Sequence, residues 1–291
     1  MRVESHSGGR VRLRWICINR PMTAASEATS AAAPVAESLR RRLRSRRERA
    51  WLALDLLIVA WLCWLYDAIN DLAPVRQALA VRDGRRVLDL ERALRLDPEH
   101  ALDAWLARRH TLAAIVVFWY ENVHIAVTLG VFALLWWRRS DALGLMRATL
   151  VLVNVLALAV FWSFPTAPPR MLAGGYVDVV AVVERLPVWR IGATALHSNQ
   201  LCSMPSLHIA WATWSSIAVW RMTARRWPRA LALLYPLLTT FAVIATGNHY
   251  LADALAGAGL TGLVFYALSR PAVARRAGWA SAGTAASERA A

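Results

Sequence analysis

Long apolar runs alternate with short arginine-rich connections along most of the chain. Six runs follow residue 50, and each is close to the ~20 residues that a helix needs to cross a bilayer. Their apolar positions are continuous rather than alternating, which predicts helices and not the strands of a barrel. The predicted fold is therefore an all-α, polytopic membrane bundle of six transmembrane helices, over residues 51–68, 111–136, 147–164, 206–221, 230–247 and 250–269.

The segments around these runs divide the chain into three parts. Residues 1–50 are rich in arginine, alanine and serine and have no apolar periodicity, which predicts a disordered cytoplasmic tail. Residues 51–270 form the predicted six-span membrane domain, and residues 271–291 a second cytoplasmic tail.

Within the membrane domain, residues 69–110 are long and amphipathic, which predicts outer helices lying at the membrane interface. Asp97 and Pro98 are typical of the N-cap and first residue of one such helix. A surface helix hairpin is the favoured interpretation of this segment, and a lid over a site is the alternative.

The composition excludes several protein classes. Apolar residues make up 57% and charged residues 18% of the 291 residues, and the mean hydropathy is +0.37, which is too apolar for an ordinary soluble enzyme. All 34 basic residues are arginine, so chemistry that needs a lysine, such as Schiff bases or a P-loop, is excluded. The three cysteines are scattered, which excludes a disulfide framework.

The net charge of +15 follows the predicted topology. With the N-terminus inside, most of the excess arginine lies in inner segments, whereas the outer segments are nearly neutral. This pattern predicts an inner-membrane protein with both termini cytoplasmic, and it argues against nucleic acid as a partner. The arginine-rich inner segments are residues 1–50, 138–147, 221–229 and 270–291.

Three polar segments interrupt the apolar chain. The first polar segment is P-T-A-P-P-R at 165–170, the second is S-M-P-S-L-H at 203–208, and the third is G-N-H-Y-L-A-D at 247–253. They end the third predicted span, begin the fourth, and connect the fifth to the sixth. The topology therefore predicts that all three meet at the extracytoplasmic face of the membrane.

The third polar segment pairs an imidazole with a carboxylate. His249 and Asp253 are four residues apart at the start of a predicted helix, so they share one face. The carboxylate sets the tautomer of the ring and leaves its other nitrogen as a base or nucleophile. A purely structural hydrogen bond is the alternative, but ionisable residues at a membrane boundary are more often functional.

The first and second polar segments contain groups suited to an anion. Pro205 is expected in the first turn of a helix, where the backbone amides of Ser206 and Leu207 make an anion site. His208, beside it, suits a general acid. Arg170 follows two prolines that hold the chain extended, and its guanidinium suits bidentate phosphate contacts.

Together these groups predict phosphoryl transfer through a phosphohistidine. The scheme requires no metal and no cofactor. The apolar walls of the bundle suggest that a lipid tail binds between helices, so the expected substrate is a lipid phosphate or phospholipid in the bilayer.

The three polar segments resemble the signature of the type-2 phosphatidic acid phosphatase superfamily, and are most similar to its inositol phosphorylceramide synthase-like branch of membrane phosphotransferases. The resemblance covers roughly residues 50–270. It implies that His249 is the nucleophile and Asp253 its partner. It also implies that His208 protonates the leaving group and that Arg170 binds phosphate, with metal-independent lipid phosphatase or headgroup transferase activity.

The sequence departs from the broader superfamily at three positions. Ser163 stands in place of a lysine, Leu207 in place of a glycine, and Val243 in place of an arginine. Two cationic phosphate ligands are thus missing, which argues against a highly charged substrate. Arg185 or Arg190 is a candidate replacement in the same outer loop.

Several further polar residues are candidates. Tyr120 and His124 share one face of the second predicted span and are possible substrate contacts. Asn248 precedes the nucleophile and is a candidate phosphate ligand. Direct roles for Cys202 and His197 are less favoured.

Other functions remain open at this point. His208, His249 and Asp253 suit a zinc site, and Ser203 or Ser206 with His249 suits a serine hydrolase. A membrane transporter, or a non-catalytic relative of the same fold, is the remaining alternative.

Overall fold

A computed structural model describes residues 76–138, 140–184 and 201–277, together with three isolated positions at 53, 57 and 64. The first predicted span, the predicted N-terminal tail, residues 278–291 of the predicted C-terminal tail, and the candidates Arg185, Arg190 and His197 lie outside the continuous described ranges. The first residues of the predicted C-terminal tail form a short helix, Pro271–Arg276. The chain divides into two compact units, residues 1–57 and 58–291, and every element below belongs to the second.

The described residues are helical, in agreement with the predicted all-α fold. The third helix contains a π-helical stretch, Trp119–Val123. A 3-10 turn, Pro169–Met171, lies between the fourth and fifth helices. In chain order the helices are α1 (Gln77–Leu94), α2 (Glu99–Ala107), α3 (His110–Trp137), α4 (Leu143–Ser163), α5 (Val179–Glu184), α6 (Leu207–Met222), α7 (Arg226–Ala245), α8 (Leu251–Ser269) and α9 (Pro271–Arg276).

Four of these helices, α3, α4, α7 and α8, are long and apolar enough to cross a membrane. They correspond to four of the six predicted spans. The predicted span 206–221 forms α6, whose 16 residues make it only about 24 Å long. That length is shorter than the ~30 Å hydrocarbon layer.

Helix α6 is central and packs against α3, α4, α7 and α8. Its Trp214 is fully buried, and the indole N–H donates to the carbonyl of Met146 at 2.7 Å. Small residues bring α6 and α8 close together, because a Cβ at Gly257 would collide with the Ser206 carbonyl. Thr261 also donates its hydroxyl to the carbonyl of Ala210 at 3.1 Å. Close packing through small and hydroxyl residues is typical of membrane helices.

Helices α1 and α2 lie within residues 69–110, the segment for which the sequence predicts interfacial helices. α2 begins at Glu99, with Pro98 at its N-cap. The expected cap at Asp97 is therefore wrong by one residue, and this carboxylate instead lies 3.7 Å from the guanidinium of Arg92. α1 packs against α8 and the 3-10 turn. At Gly84 a Cβ would lie only 2.5 Å from the carbonyl of Ala167, so glycine allows this contact.

The helix directions bring four helix ends to one end of the bundle. α4 and α7 end there, and α6 and α8 begin there. Backbone hydrogen bonds join these ends, from Thr166 after α4 to Leu201 before α6, and from Ser206 at the start of α6 to Asp253 in α8. The three polar segments directly adjoin these four helix ends.

Candidate active site

The third polar segment begins with a tight reversal after α7. Gly247 has φ of +70°, a left-handed conformation that favours glycine, and its carbonyl accepts from the N–H of Arg170 at 3.1 Å. The backbone amides of Asn248 and His249 both donate to the carbonyl of Val243 at 3.2 Å. The reversal therefore fixes the backbone of His249 and ties it to the first polar segment.

His249 lies just before α8, whose N-cap is Tyr250. The expectation that His249 and Asp253 share a helix face is therefore wrong, because His249 is not part of the helix. The two side chains nevertheless meet, with Nδ1 of His249 3.3 Å from Oδ2 of Asp253. They meet because the Asp253 side chain turns back toward the helix start, where it accepts the N–H of Tyr250 at 3.0 Å.

Ser203 of the second polar segment completes this contact. Its hydroxyl donates to Oδ2 of Asp253 and lies 3.5 Å from Nδ1 of His249. Asp253 is fully buried, and His249 is only 5% exposed. With Nδ1 held on this side, the ring presents Nε2 as its other nitrogen.

Ser206 joins the second and third polar segments through the backbone. Its N–H donates to the carbonyl of Asp253 at 3.0 Å, so this amide is already engaged. Ser206 is the N-cap of α6, and Pro205 lies before the helix rather than in its first turn as expected. The amide of Leu207 opens the first turn, where amides lack a partner within the helix.

His208 lies in a cluster of rings. Tyr120 stacks on it with ring centroids 4.6 Å apart, His124 lies at 4.2 Å, and His249 lies edge-on at 5.5 Å. Tyr120 is in the π-helical stretch of α3, and His124 follows it directly. π-helical stretches are frequent at functional sites. The structure thus brings both possible substrate contacts to His208.

Arg170 contacts two polar groups at the 3-10 turn. Its Nε donates to Oδ1 of Asn248 at 2.8 Å, and its Nη1 lies 3.1 Å from Oδ2 of Asp178. Its side chain is 13% exposed. The loop that carries Asp178 is held by Asp103, which accepts the N–H of Val177 at 2.8 Å. Burial raises the pKa of the Asp103 carboxyl, and its hydrogen bonds from backbone amides oppose that rise.

Of the three positions that depart from the superfamily pattern, Leu207 begins α6 at the site, whereas Ser163 and Val243 place no polar side chain in it. Ser163 is exposed and bonds to carbonyls of its own helix, and Val243 is buried in an apolar cluster with Ile209, Ile244 and Ala254. Cys202 forms a parallel bridge with Thr166 through its backbone. Among the described residues, no group of three or more histidine, cysteine or acidic side chains is arranged to hold a metal ion.

The structure adds three acidic residues that sequence reasoning did not place in the site. Asp178 contacts Arg170, and Glu91 and Glu99 accept backbone amides at the start of α8. Ser203, which the sequence offered only as a hydrolase nucleophile, contacts the His249–Asp253 pair. Glu91 and Glu99 carried no spacing signal, since each is more than 150 residues from its partner. Asp178 is only eight residues from Arg170, but neither residue lies in an α-helix whose periodicity would pair them.

A family model described as the PAP2 superfamily matches residues 85–267, which is more than half of the chain. No curated protein and no solved structure matches the chain. The chain therefore belongs to the PAP2 superfamily, and this membership indicates a membrane protein with phosphatase or phosphotransferase activity.

Proposed function

From this membership and the geometry at His249, we propose that the chain cleaves a lipid-linked phosphate or phosphodiester through a phosphohistidine intermediate. The observation that carries the proposal is the buried contact of His249 Nδ1 with Asp253, beside the ring of His208. That contact directs Nε2 of His249 as the nucleophile and stabilises the positive charge that develops on the ring.

In the first step, the Nε2 lone pair of His249 attacks phosphorus and the bond from phosphorus to the leaving oxygen breaks. His208 donates its proton to that oxygen, so the leaving group departs as a neutral alcohol. The product on the enzyme is an Nε2–phosphorus bond, with the Nδ1 proton held by Asp253.

In the second step, an acceptor hydroxyl attacks phosphorus and gives its proton to His208. The nitrogen–phosphorus bond breaks, and both histidines return to their starting states. Water as acceptor makes the protein a phosphatase. An alcohol such as inositol or a glycosyl group makes it a headgroup phosphotransferase, as the resemblance to inositol phosphorylceramide synthase-like proteins suggests.

The transition state carries negative charge on the phosphoryl oxygens, so it needs donors already in place. Arg170 and Asn248, joined at 2.8 Å, supply them from one side. The hydroxyl of Ser206 and the amide of Leu207 supply them at the start of α6. Tyr120 and His124 lie against His208 and contact the leaving or accepting group.

We place the protein in the inner membrane, with both termini cytoplasmic and the site toward the extracytoplasmic side. The arginines at the far end of the bundle support this orientation, because cytoplasmic connections are rich in arginine. They include Arg221 in the last turn of α6, Arg225 in the connection, and Arg226 and Arg229 in the first turn of α7.

Purified protein in detergent, with a chelator present, tests the reaction. Phospholipids and polyprenyl phosphates are supplied with and without inositol, and free phosphate and new lipid products are both measured. Phosphate release alone identifies a phosphatase, and a new phospholipid formed only with acceptor identifies a transferase. Activity that requires a metal contradicts the metal-independent scheme.

Two variants test the intermediate. H249A abolishes turnover and the acid-labile phosphoenzyme formed from a ³²P-labelled substrate, whereas H110A, at an exposed histidine of α3, keeps both. H208A forms the phosphoenzyme only from a substrate whose leaving group needs no proton, such as a nitrophenyl ester. Near-normal turnover by folded H249A contradicts the proposal.

A further inference from the structure

Three successive backbone amides at the start of α8 donate to three carboxylates. The N–H of Tyr250 donates to Asp253 at 3.0 Å, as described above. The N–H of Leu251 donates to Oε1 of Glu99 at 2.8 Å, and that of Ala252 to Oε1 of Glu91 at 2.6 Å. The first amides of a helix have no partner within it, so α1 and α2 supply the missing acceptors.

Both glutamates are buried on their own helices. Glu91 is 3% exposed and Glu99 is fully buried. Their Oε2 atoms accept from no donor among the described residues, and the two side chains are in hydrogen-bonding contact with each other. The pKa of Glu91 is raised to about 8, chiefly by burial; the hydrogen bond from the Ala252 amide opposes this rise, and the charges of Glu99 and Asp253 add to it. Burial also raises the pKa of Glu99.

Ionisation of all three carboxyl groups, those of Glu91, Glu99 and Asp253, would disfavour the proposed phosphoryl transfer. Three carboxylate charges at one helix start exceed what the partial positive charge of the helix dipole balances. They would also lie beside the position of an anionic phosphate. A proton shared between the two glutamates removes one of these charges and keeps both Oε1 acceptors in place.

We propose that Glu91 and Glu99 are positioning residues: a carboxyl–carboxylate pair that shares one proton at neutral pH and holds the start of α8, with His249 and Asp253, in catalytic geometry. This inference rests on the proposed function and gives α1 and α2 a role in it. Loss of the shared proton at alkaline pH adds repulsion beside Asp253 and weakens the attachment of α1 and α2 to α8.

Other charged and titratable groups surround the pair. Tyr250 and Asp253 face it from α8, Tyr176 faces it from the loop before α5, and Arg92 is the next residue on α1. Arg92 is half-exposed and lies near Asp97, and His100 lies edge-on to Tyr176 at 5.4 Å. His100 is the one histidine of this set, so H100Q is a necessary control. The set is Arg92, Asp97, His100, Asp103, Tyr176, Tyr250 and Asp253.

The test compares the pH dependence of kcat/KM in wild type, E91Q, E99Q and E91A. We expect wild-type activity to fall as pH rises through about 8. E91Q keeps an oxygen for the Ala252 amide and mimics the protonated acid, so the decline moves to higher pH while activity at neutral pH is retained. E91A removes the acceptor and lowers kcat about tenfold to a hundredfold, since the reacting groups shift.

D83N is the matched control. Asp83 is a buried acid on the same helix, but its partners are Arg82 and Arg86 rather than α8. D83N and H100Q leave the alkaline decline where it is in wild type. An unchanged decline in both E91Q and E99Q, or full activity in E91A, overturns the inference.

Thermal unfolding in detergent separates this inference from the reaction itself. A carboxyl whose folded pKa is raised stabilises the fold at low pH and loses that contribution as pH rises through the folded value. The wild-type Tm is therefore expected to fall between pH 5 and pH 9, on either side of the pKa of about 8, and E91Q flattens that fall. A flat wild-type profile overturns the inference whatever the activity, whereas a missing phosphoenzyme contradicts only the proposed reaction.

Discussion

The two ends of the helical bundle hold their polar side chains differently. At the site end, buried groups bond across long sequence distances, as Arg170 does to Asn248 and Glu91 to the amide of Ala252. At the opposite end, polar groups pair with near neighbours: Arg229 lies over the ring of Trp220, and Arg270 over that of Tyr266.

This difference separates anchoring from catalysis. A local arginine–aromatic pair at a helix end needs no other segment to be in place, and it suits a membrane–water boundary. The buried network joins α1, α2 and the three polar segments, so it forms only when the bundle is assembled. It holds the reacting groups in position before the substrate arrives. The comparison predicts that substitutions at the site end reduce activity strongly, whereas substitutions at the opposite end have small effects on activity and stability.

The largest effect is expected for D253N. The buried carboxylate accepts from Ser203, Tyr250 and His249, and asparagine loses the charge that stabilises the imidazolium. Loss of such a partner lowers kcat by about 10²- to 10⁴-fold. Steady-state kinetics on the folded variant check this value, and a variant that keeps half of the wild-type kcat contradicts the role of Asp253.

A smaller effect on substrate binding is expected for R170K. Lysine keeps the charge but cannot reach Asn248 and Asp178 with the geometry of a guanidinium. We expect KM to rise about tenfold to a hundredfold, the cost of losing charge-assisted hydrogen bonds. R229K, at the opposite end, is the control and leaves KM unchanged. Equal KM values for both variants would remove the proposed phosphate contact.

The helix contact beneath the site is tested by two glycines of α8. A Cβ at Gly257 collides with the Ser206 carbonyl, whereas a Cβ at Gly259 meets nothing within 4 Å. We expect G257A to cost about 1–3 kcal/mol of stability through overpacking, with lower activity because α6 begins at that contact. G259A leaves Tm and activity near wild type. The measurement is the Tm of both variants in the same detergent. Identical Tm values would contradict the close contact between α6 and α8.

The smallest effect is expected for R270A. Arg270 lies 5.1 Å from the ring centroid of Tyr266, one turn earlier in the chain. An exposed pair of this kind contributes about 0.5–1 kcal/mol. We expect a small decrease in Tm and an unchanged kcat/KM, measured beside R170K. A large loss of activity would show that the two ends of the bundle are coupled.

The sequence predicted the helices well where apolarity alone defines them. The predicted span 250–269 differs from α8 by one residue at its start, whereas α7 begins four residues before the predicted 230. The first turn of α7 contains Arg226 and Arg229, which an apolar count leaves out although they are helical. Polar helix ends are therefore the part that hydropathy misses.

The candidate site was predicted in part. The family motifs and the topology brought His208, His249 and Arg170 to one end of the bundle, and the structure places them there. Asp178 and Glu91 were not identified as partners, and Ser203 was considered only as a nucleophile beside His249. Nothing in the spacing of Glu91 indicates its contact, because Glu91 and Ala252 are 161 residues apart in the chain.

By itself, then, the sequence determined the helical, membrane-type character of the chain and the residue types gathered at its site. Those properties depend on apolar length and on short motifs, which are local. Apart from the predicted His249–Asp253 pair, tertiary structure decided which partner each buried polar group of the site has, including the two glutamates that hold the amides of Leu251 and Ala252. The reason is physical: a buried polar group needs a hydrogen-bond partner, and the nearest one is set by packing rather than by position in the chain.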